Sequence, residues 1–479
     1  MFKSGYELLS QSLQRREFLR CAGGLAAAGF VLPTALGISV SACGDDRPSR
    51  DVIASPGTPG RATSCIVVYL LGGPPHLDMF DLKPDAPAEI RGPFQPIATA
   101  VPGTQICELL PELARRADRY ALVRSVSHRN SNHTPMIYYT LTGRDTEFPD
   151  RDNDVRAPQR TDFPHFGSIV SRFLPGPGVL PGYVAIQDVA VRSSIAGEFK
   201  RARMPLRGGN AGFLGARFDP LSINGVVGTA DAVPTFSLPD GISTDRFEER
   251  SAVLSRLENA VSSSQGDDFA LVRRRAILLT GAANNGHAPL FSLDSESRAA
   301  RERYGQNRFG QSLLLARRLT EAGVPLVAIH FNEMSMCDGW DTHSRNFSAL
   351  QDELLPMLDK GLSALLDDLQ QRGRFDETLV ACFGEFGRTP RINANAGRDH
   401  WGDCSTTWLA GGGIRGGMVH GASDRHGAFP QSDAVDPSDI QATLFHCLGL
   451  DPATTIGDHL DRPHAISLGK VIRPLLATT

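Results

Sequence analysis

The chain has 479 residues, 41% of them hydrophobic and 21% charged, enough apolar content to bury a large core and too much for a disordered polypeptide. Its 49 Lys and Arg against 53 Asp and Glu give a formal charge of -4, with no finger, knuckle or Arg-rich arm. The basic footprint that neutralises a phosphate backbone is missing, so nucleic acid is set aside as a partner.

The N-terminus carries an address. "QRREFLR" places Arg15-Arg16 before Phe18-Leu19, and a weakly apolar run rich in Ala and Gly continues to about Val40. This looks like a twin-arginine signal over residues 1–43, which implies the twin-arginine export machinery as a partner and an exported, periplasmic location. A membrane-spanning reading is weaker, because Gly23, Gly24, Gly29, Pro33 and Gly37 interrupt the run. "VSAC", Val40 to Cys43, fits a lipobox, which would anchor the protein to the membrane by lipid at Cys43; ordinary signal cleavage nearby is the alternative. Residues 44–64 are rich in Pro, Gly and Ser and read as a flexible tether. Beyond the signal lie Cys65, Cys107, Cys337, Cys382, Cys404 and Cys447, with no CxxC spacing of a zinc knuckle or redox pair.

From residue 65 to 479 strands alternate with helices. "CIVVYLL", Cys65 to Leu71, is a continuous apolar run ending in Gly72-Gly73, the pattern of a strand buried on both faces. "LLPELARRADR" reads as a helix and "YALVRSVSH", Tyr120 to His128, as the next strand. A helix is expected to begin near Pro135. The stretch from Phe148 to Ala300, rich in Gly, Pro, Arg and Asp, is expected to be an irregular insertion beside or over the site, with a helix in "FEERSAVLSRLENAVSS". "FGQSLLLARRLTEAG" is an amphipathic helix stopped by Gly323, and the strand "VPLVAIHF" follows, Val324 to Phe331. Leu354, Leu358, Leu362, Leu365 and Leu369 recur at helical spacing between Asp352 and Arg372, before the strand "TLVACF", Thr378 to Phe383. "GGGIRGG" reads as a glycine hairpin or bulge rather than a phosphate loop, since no Lys-Ser/Thr follows it. The alternation predicts an α/β fold with a mainly parallel sheet and ligands at the carboxyl ends of its strands.

Polar residues gather at those ends. After the first strand come His76, Asp78 and Asp81; after the second, His128 and His133; after "VAIHF", Asp338, Asp341 and His343; after "TLVACF", Glu385, Arg388, Asp399 and His400. A single Asp-His pair is commonly a solvated loop, but four successive clusters of imidazoles and carboxylates point to a metal site. His330 lies inside a strand and is read as a satisfied core histidine.

Taken together, "GGPPHLDMFD", "GWDTH", "GEFGRTP", "GRDHW" and "GGGIRGG" resemble the exported domain-of-unknown-function family 1501 of the alkaline phosphatase superfamily, from about Ser64 to the C-terminus. The resemblance implies an alkaline phosphatase-like α/β/α sandwich and a hydrolase of phosphate or sulfate esters. "SNHTPMIYYTLTGR", Ser131 to Arg144, resembles the sulfatase signature, with His133 at the cysteine position, Pro135 at the proline and Met136-Ile137 replacing Ser-Arg. Departures accompany the matches. Gly72-Gly73 stand where a metal-binding Asp usually closes the first strand, Phe386 stands where a His or Asn ligand is expected, and His133 cannot become formylglycine.

The candidate ligands are therefore His76, Asp78, His133, Asp341, His343, Glu385, Asp399 and His400, for one or two divalent cations, with zinc, manganese and calcium all open. At the nucleophile position three readings stand: His133 as a ligand with a metal-bound water attacking, both residues as helix caps, or Thr134 as an alkoxide at a helix N-terminus. Arg388 would stabilise developing charge, and Arg398 could hold the anion beside it. The reading is an exported metal-dependent hydrolase of an anionic ester; the alternative is a non-catalytic binding or scaffold protein that retains the fold.

Overall fold

The computed structural model describes residues 62–145, 158–178, 180–187, 190–191, 202–203, 206–224, 227, 242–260, 290–332 and 339–477. The expected export signal, Cys43, nearly all of the tether, Cys337 and Asp338 lie outside these residues.

Eight strands make the central sheet: β1 (Ser64–Leu70), β2 (Tyr120–Val126), β3 (Tyr183–Gln187), β4 (Leu221–Asn224), β5 (Leu326–Phe331), β6 (Thr378–Phe383), β7 (Ser405–Ala410) and β8 (Met418–His420). Their order is β8-β2-β7-β6-β1-β5-β3-β4. β1 lies between β6 and β5, parallel to both, and β7 alone runs against its neighbours. That reversal matters to the site: a residue that precedes β7 lies at the same sheet edge as residues that follow the other strands.

β1 is apolar from Cys65 onward, as suits a strand covered on both faces. Ile66, Val68 and Leu70 point into a core shared with Leu313 and Leu314 of α3 (Arg308–Glu321) and Leu358, Leu362 and Leu365 of α4 (Leu355–Gln371). Cys65, Val67 and Tyr69 point the other way, to Ile137 of α1 (His133–Thr142), Ile169 of α2 (Phe166–Phe173) and Leu444 of α5 (Pro437–Cys447). Successive strand residues feeding opposite cores make a three-layer α/β/α sandwich.

Several expectations are refined. "LLPELARRADR" forms one α-helical turn, Pro111–Ala114, whose first N–H groups, those of Glu112 and Leu113, are accepted by Asp359 of α4 at 3.0 and 2.7 Å, and then a 3-10 turn, Ala117–Arg119, that ends where Tyr120 enters the sheet. The leucine-spaced helix begins with a π-helical turn, Leu350–Leu354, before α4. α1 starts at His133, two residues ahead of Pro135, which a proline in the first turn permits. α3 closes as expected, with Gly323 at φ +91°. Within the expected insertion, α2, β3 and β4 belong to the main layers, so that stretch is partly framework; its Gly- and Pro-rich surroundings hide two short strands. Among the described residues no helix is long and apolar enough to cross a membrane.

Candidate metal centre

The carboxyl ends of β1, β2, β5 and β6 and the entry to β7 share one edge, and a cluster is built there. β2 leads through Ser127 to Asn132 into α1, whose first residue is His133. Asp341 and His343 follow β5, Glu385 and Phe386 follow β6, and Asp399 and His400 precede β7. His400 reaches the cluster from a two-residue strand, His400–Trp401, paired with Gly387–Arg388.

His133 Nδ1 lies 2.6 Å from Glu385 Oε1, and His343 Nδ1 lies 2.8 Å from Asp399 Oδ1. An ionised carboxylate only accepts, so in both rings Nδ1 carries the proton, and the neutral ring presents its Nε2 lone pair inward. Those lone pairs converge on Asp341. His133 Nε2 is 3.4 Å from Asp341 Oδ2, while His343 and His400 Nε2 are 3.1 and 3.2 Å from Oδ1. The Nε2 atoms of His343 and His400 are only 2.9 Å apart. Two lone pairs at that distance repel unless a proton or a cation lies with them.

Ligand atoms of His133, Asp341 and His400 all fall within 4.8 Å of one another, the spacing a bound cation imposes. The donor set therefore fits a divalent metal, with Glu385 and Asp399 orienting imidazoles from behind. Where protons rather than a cation hold the cluster together, the rings act as donors to Asp341. Burial alone would raise Asp341, but hydrogen bonds from the three histidines and the Arg388 charge hold it far below the usual carboxylate range. Burial lowers His133, and Asp341 and Glu385 more than reverse this, raising it to about 9. Burial keeps His400 below an ordinary histidine.

The packing beneath accounts for two of the three departures noted in the sequence, those at Phe386 and Gly72. Phe386 carries the histidines, its ring centroid 4.9 Å from that of His133 and 4.8 Å from that of His400. Gly72 donates its N–H to Glu385 Oε1 at 2.9 Å and leaves room for the Asp341 backbone. Sequence reasoning also missed Asn393, whose Nδ2 holds Asp399 Oδ1 at 3.1 Å and His343 O at 2.9 Å. His128 Nε2, 2.9 Å from Glu385 O, ties the loop after β2 to the loop after β6.

Other predicted residues lie elsewhere. Asp78 is 1% exposed and pairs with Arg398 Nε and Nη2 at 2.7 and 2.8 Å and with Asn346 Nδ2 at 2.8 Å, so both its oxygens are spent away from the cluster. His76 is buried with Nε2 2.8 Å from Gly427 O, and burial keeps it neutral. Arg388 and Arg398 are both sealed from solvent. Arg388 gives its donors to the carbonyls of Gly72, Gly73 and Arg398 and to Asp341; it positions Asp341 and does not face a substrate. Arg398 spends its remaining donors on Thr389, Pro390 and Ile90 carbonyls, so it holds no anion. Neither His133 nor Thr134 is the cap of α1: Asn132 occupies that position without a side-chain cap bond. Thr134 sits, half-buried, in the first turn of α1. His330 is buried with neither ring nitrogen bonded among the described residues, and burial pushes it down to about 4; it is a neutral core histidine but an unsatisfied one.

The separation of roles is testable. Asp78→Asn is expected to cost about 2 kcal/mol by weakening a charge-assisted bond to Arg398, with bound metal per chain unchanged. A fall in metal content alongside an unshifted denaturation midpoint would instead make Asp78 a ligand.

Residues 62–476 match the family model described as "Protein of unknown function (DUF1501)", and the chain belongs to that family. No curated protein matches it in sequence. Among solved structures it is similar to the phosphonate monoester hydrolase from Silicibacter pomeroyi, at 15% identity over 87% of this chain and 76% of that one, TM-score 0.33. Murine ectonucleotide pyrophosphatase/phosphodiesterase 5 gives 12% identity over 86% and 100%, TM-score 0.37. The lipoteichoic acid synthase LtaP from Listeria monocytogenes gives 11% over 86% and 77%, TM-score 0.34. Scores this low carry no residue role across to this chain.

Proposed function

We propose that the protein is an exported, metal-dependent hydrolase of phosphate or sulfate esters. One observation carries the reading: three imidazole Nε2 atoms meet at Asp341, two of them 2.9 Å apart, with carboxylates fixing the far side of two rings. Nitrogen-rich donors of this kind favour zinc over calcium. Held there, a divalent cation supplies Lewis-acid polarisation of an ester oxygen and an acidic water. The chain's part is to orient. Glu385 and Asp399 fix His133 and His343, Arg388 fixes Asp341, and the first turn of α1 offers backbone N–H groups to an anionic ester. Thr134, in that turn, is the side chain to test as nucleophile.

The twin-arginine signal and a lipid anchor at Cys43 would place this activity outside the cytoplasm; the export machinery and an anionic ester are the partners implied. A non-catalytic binding protein is the second reading, favoured by the burial of Arg388, which leaves it unable to meet a substrate. Elemental analysis of the mature protein beside His133→Ala, His400→Ala tests the first reading. Bound zinc or manganese is expected, with at least about a hundredfold weaker retention in the double variant. A folded protein that takes up no metal after supplementation sinks the hydrolase reading; retained metal without turnover of any p-nitrophenyl phosphate or sulfate ester favours the second.

A further inference from the structure

We propose that this site takes esters bearing a single negative charge, sulfate monoesters or phosphate diesters, ahead of doubly charged phosphate monoesters; the inference rests on the hydrolase reading above. It comes from the charges in contact with the cluster. Three carboxylates touch the histidines: Asp341, Glu385 and Asp399. One guanidinium answers them, that of Arg388, and it is fully buried with its donors committed. Imidazoles that bind a metal do so as neutral rings. A single divalent cation therefore brings the cluster to neutrality and leaves no surplus positive charge.

The next guanidinium inward, Arg398, adds nothing, because Asp78 neutralises it in a pair closed to solvent. Among the described residues the first turn of α1 supplies a further positive element, worth roughly half an elementary charge at a helix N-terminus. That partial charge offsets about half of one negative charge, so a doubly charged ester leaves roughly three times the uncompensated charge of a singly charged one. In a partly buried site an uncompensated charge is expensive. Singly charged tetrahedral esters are thus the class that leaves the site the smaller uncompensated charge.

Asp399 offers a clean handle. Its side chain is 53% exposed, and its Oδ1 accepts from His343 Nδ1 and Asn393 Nδ2. Asp399→Asn keeps an acceptor oxygen for both bonds and removes one negative charge, so the geometry is retained while the balance moves toward a second anionic charge.

The test starts from the full mature chain loaded with zinc, with metal counted per chain. Calorimetric titration then uses methyl sulfate and dimethyl phosphate, each singly charged, and methyl phosphate, doubly charged in mildly alkaline buffer. One zinc per chain is expected, with at least one singly charged probe binding about tenfold or more tighter than methyl phosphate. Asp399→Asn is expected to narrow that gap about tenfold with zinc still bound. Which singly charged probe wins distinguishes a sulfate ester from a phosphate diester. Failure to hold zinc overturns the hydrolase reading itself and this inference with it. With zinc held, the inference alone is overturned by two zinc ions per chain, by methyl phosphate binding as tightly as the others, by no probe binding, or by an unchanged gap in Asp399→Asn.

Discussion

Gly72→Ala is expected to destabilise the protein by on the order of 4 kcal/mol and to displace Asp341 from its histidines. Gly72 has φ +116°, a conformation that L side chains rarely adopt. A Cβ there would lie 2.4 Å from Asp341 N, 2.7 Å from Trp340 C and 2.9 Å from Trp340 N, all backbone atoms. Trp340 cannot retreat: it is fully buried and meets the Phe331 ring edge-on at 5.5 Å. Scanning calorimetry and metal content read the two effects together. Wild-type stability in the alanine variant would show that the loop after β5 has slack that the packing denies.

Arg388→Met is expected to cost about 3–5 kcal/mol, because it leaves the Asp341 charge without its buried partner. The variant also abandons the carbonyls of Gly72, Gly73 and Arg398. The bound divalent cation can answer the orphaned carboxylate in place of the guanidinium. Zinc is therefore expected to recover part of the loss and to stabilise Arg388→Met more than it stabilises the wild type, read as the shift in denaturant midpoint with and without metal. Equal shifts in both proteins would mean that the Arg388–Asp341 pair and the cation do not act on the same charge.

The framework was legible where apolar runs were continuous. "CIVVYLL", "VPLVAIHF" and "TLVACF" are strands because two covered faces leave no polar alternation to obscure them. The short β3 and β4 escaped notice, since "YVAIQ" and "LSIN" sit among Gly, Pro and Arg; β3 owes its pairing to β5, and β4 pairs in turn with β3. In the site, recurring His and acid at strand ends picked out His133, Asp341, His343, Glu385, Asp399 and His400, all of which the fold brings into one network. Sequence could not separate Asp78 from them. Its partner Arg398 lies 320 residues away, and an Asp in a salt bridge has the same letter as an Asp on a metal. Phe386 looked like a lost ligand for a similar reason: the ring shelf under His133 and His400 exists only once β6 and β7 are side by side.

The reversed direction of β7 bears on how the site is assembled in time. Because β6 and β7 are antiparallel neighbours, the segment from Gly384 to Cys404 is a single excursion that leaves and re-enters the sheet at adjacent positions. It carries Glu385, Phe386, Arg388, Asn393, Arg398, Asp399 and His400. Closing a loop of roughly twenty residues is a modest entropic demand, and contacts of such short range form early. Half of the cluster is thus a local hairpin product, able to take shape before β1 and β5 deliver Gly72 and Asp341 from distant parts of the chain.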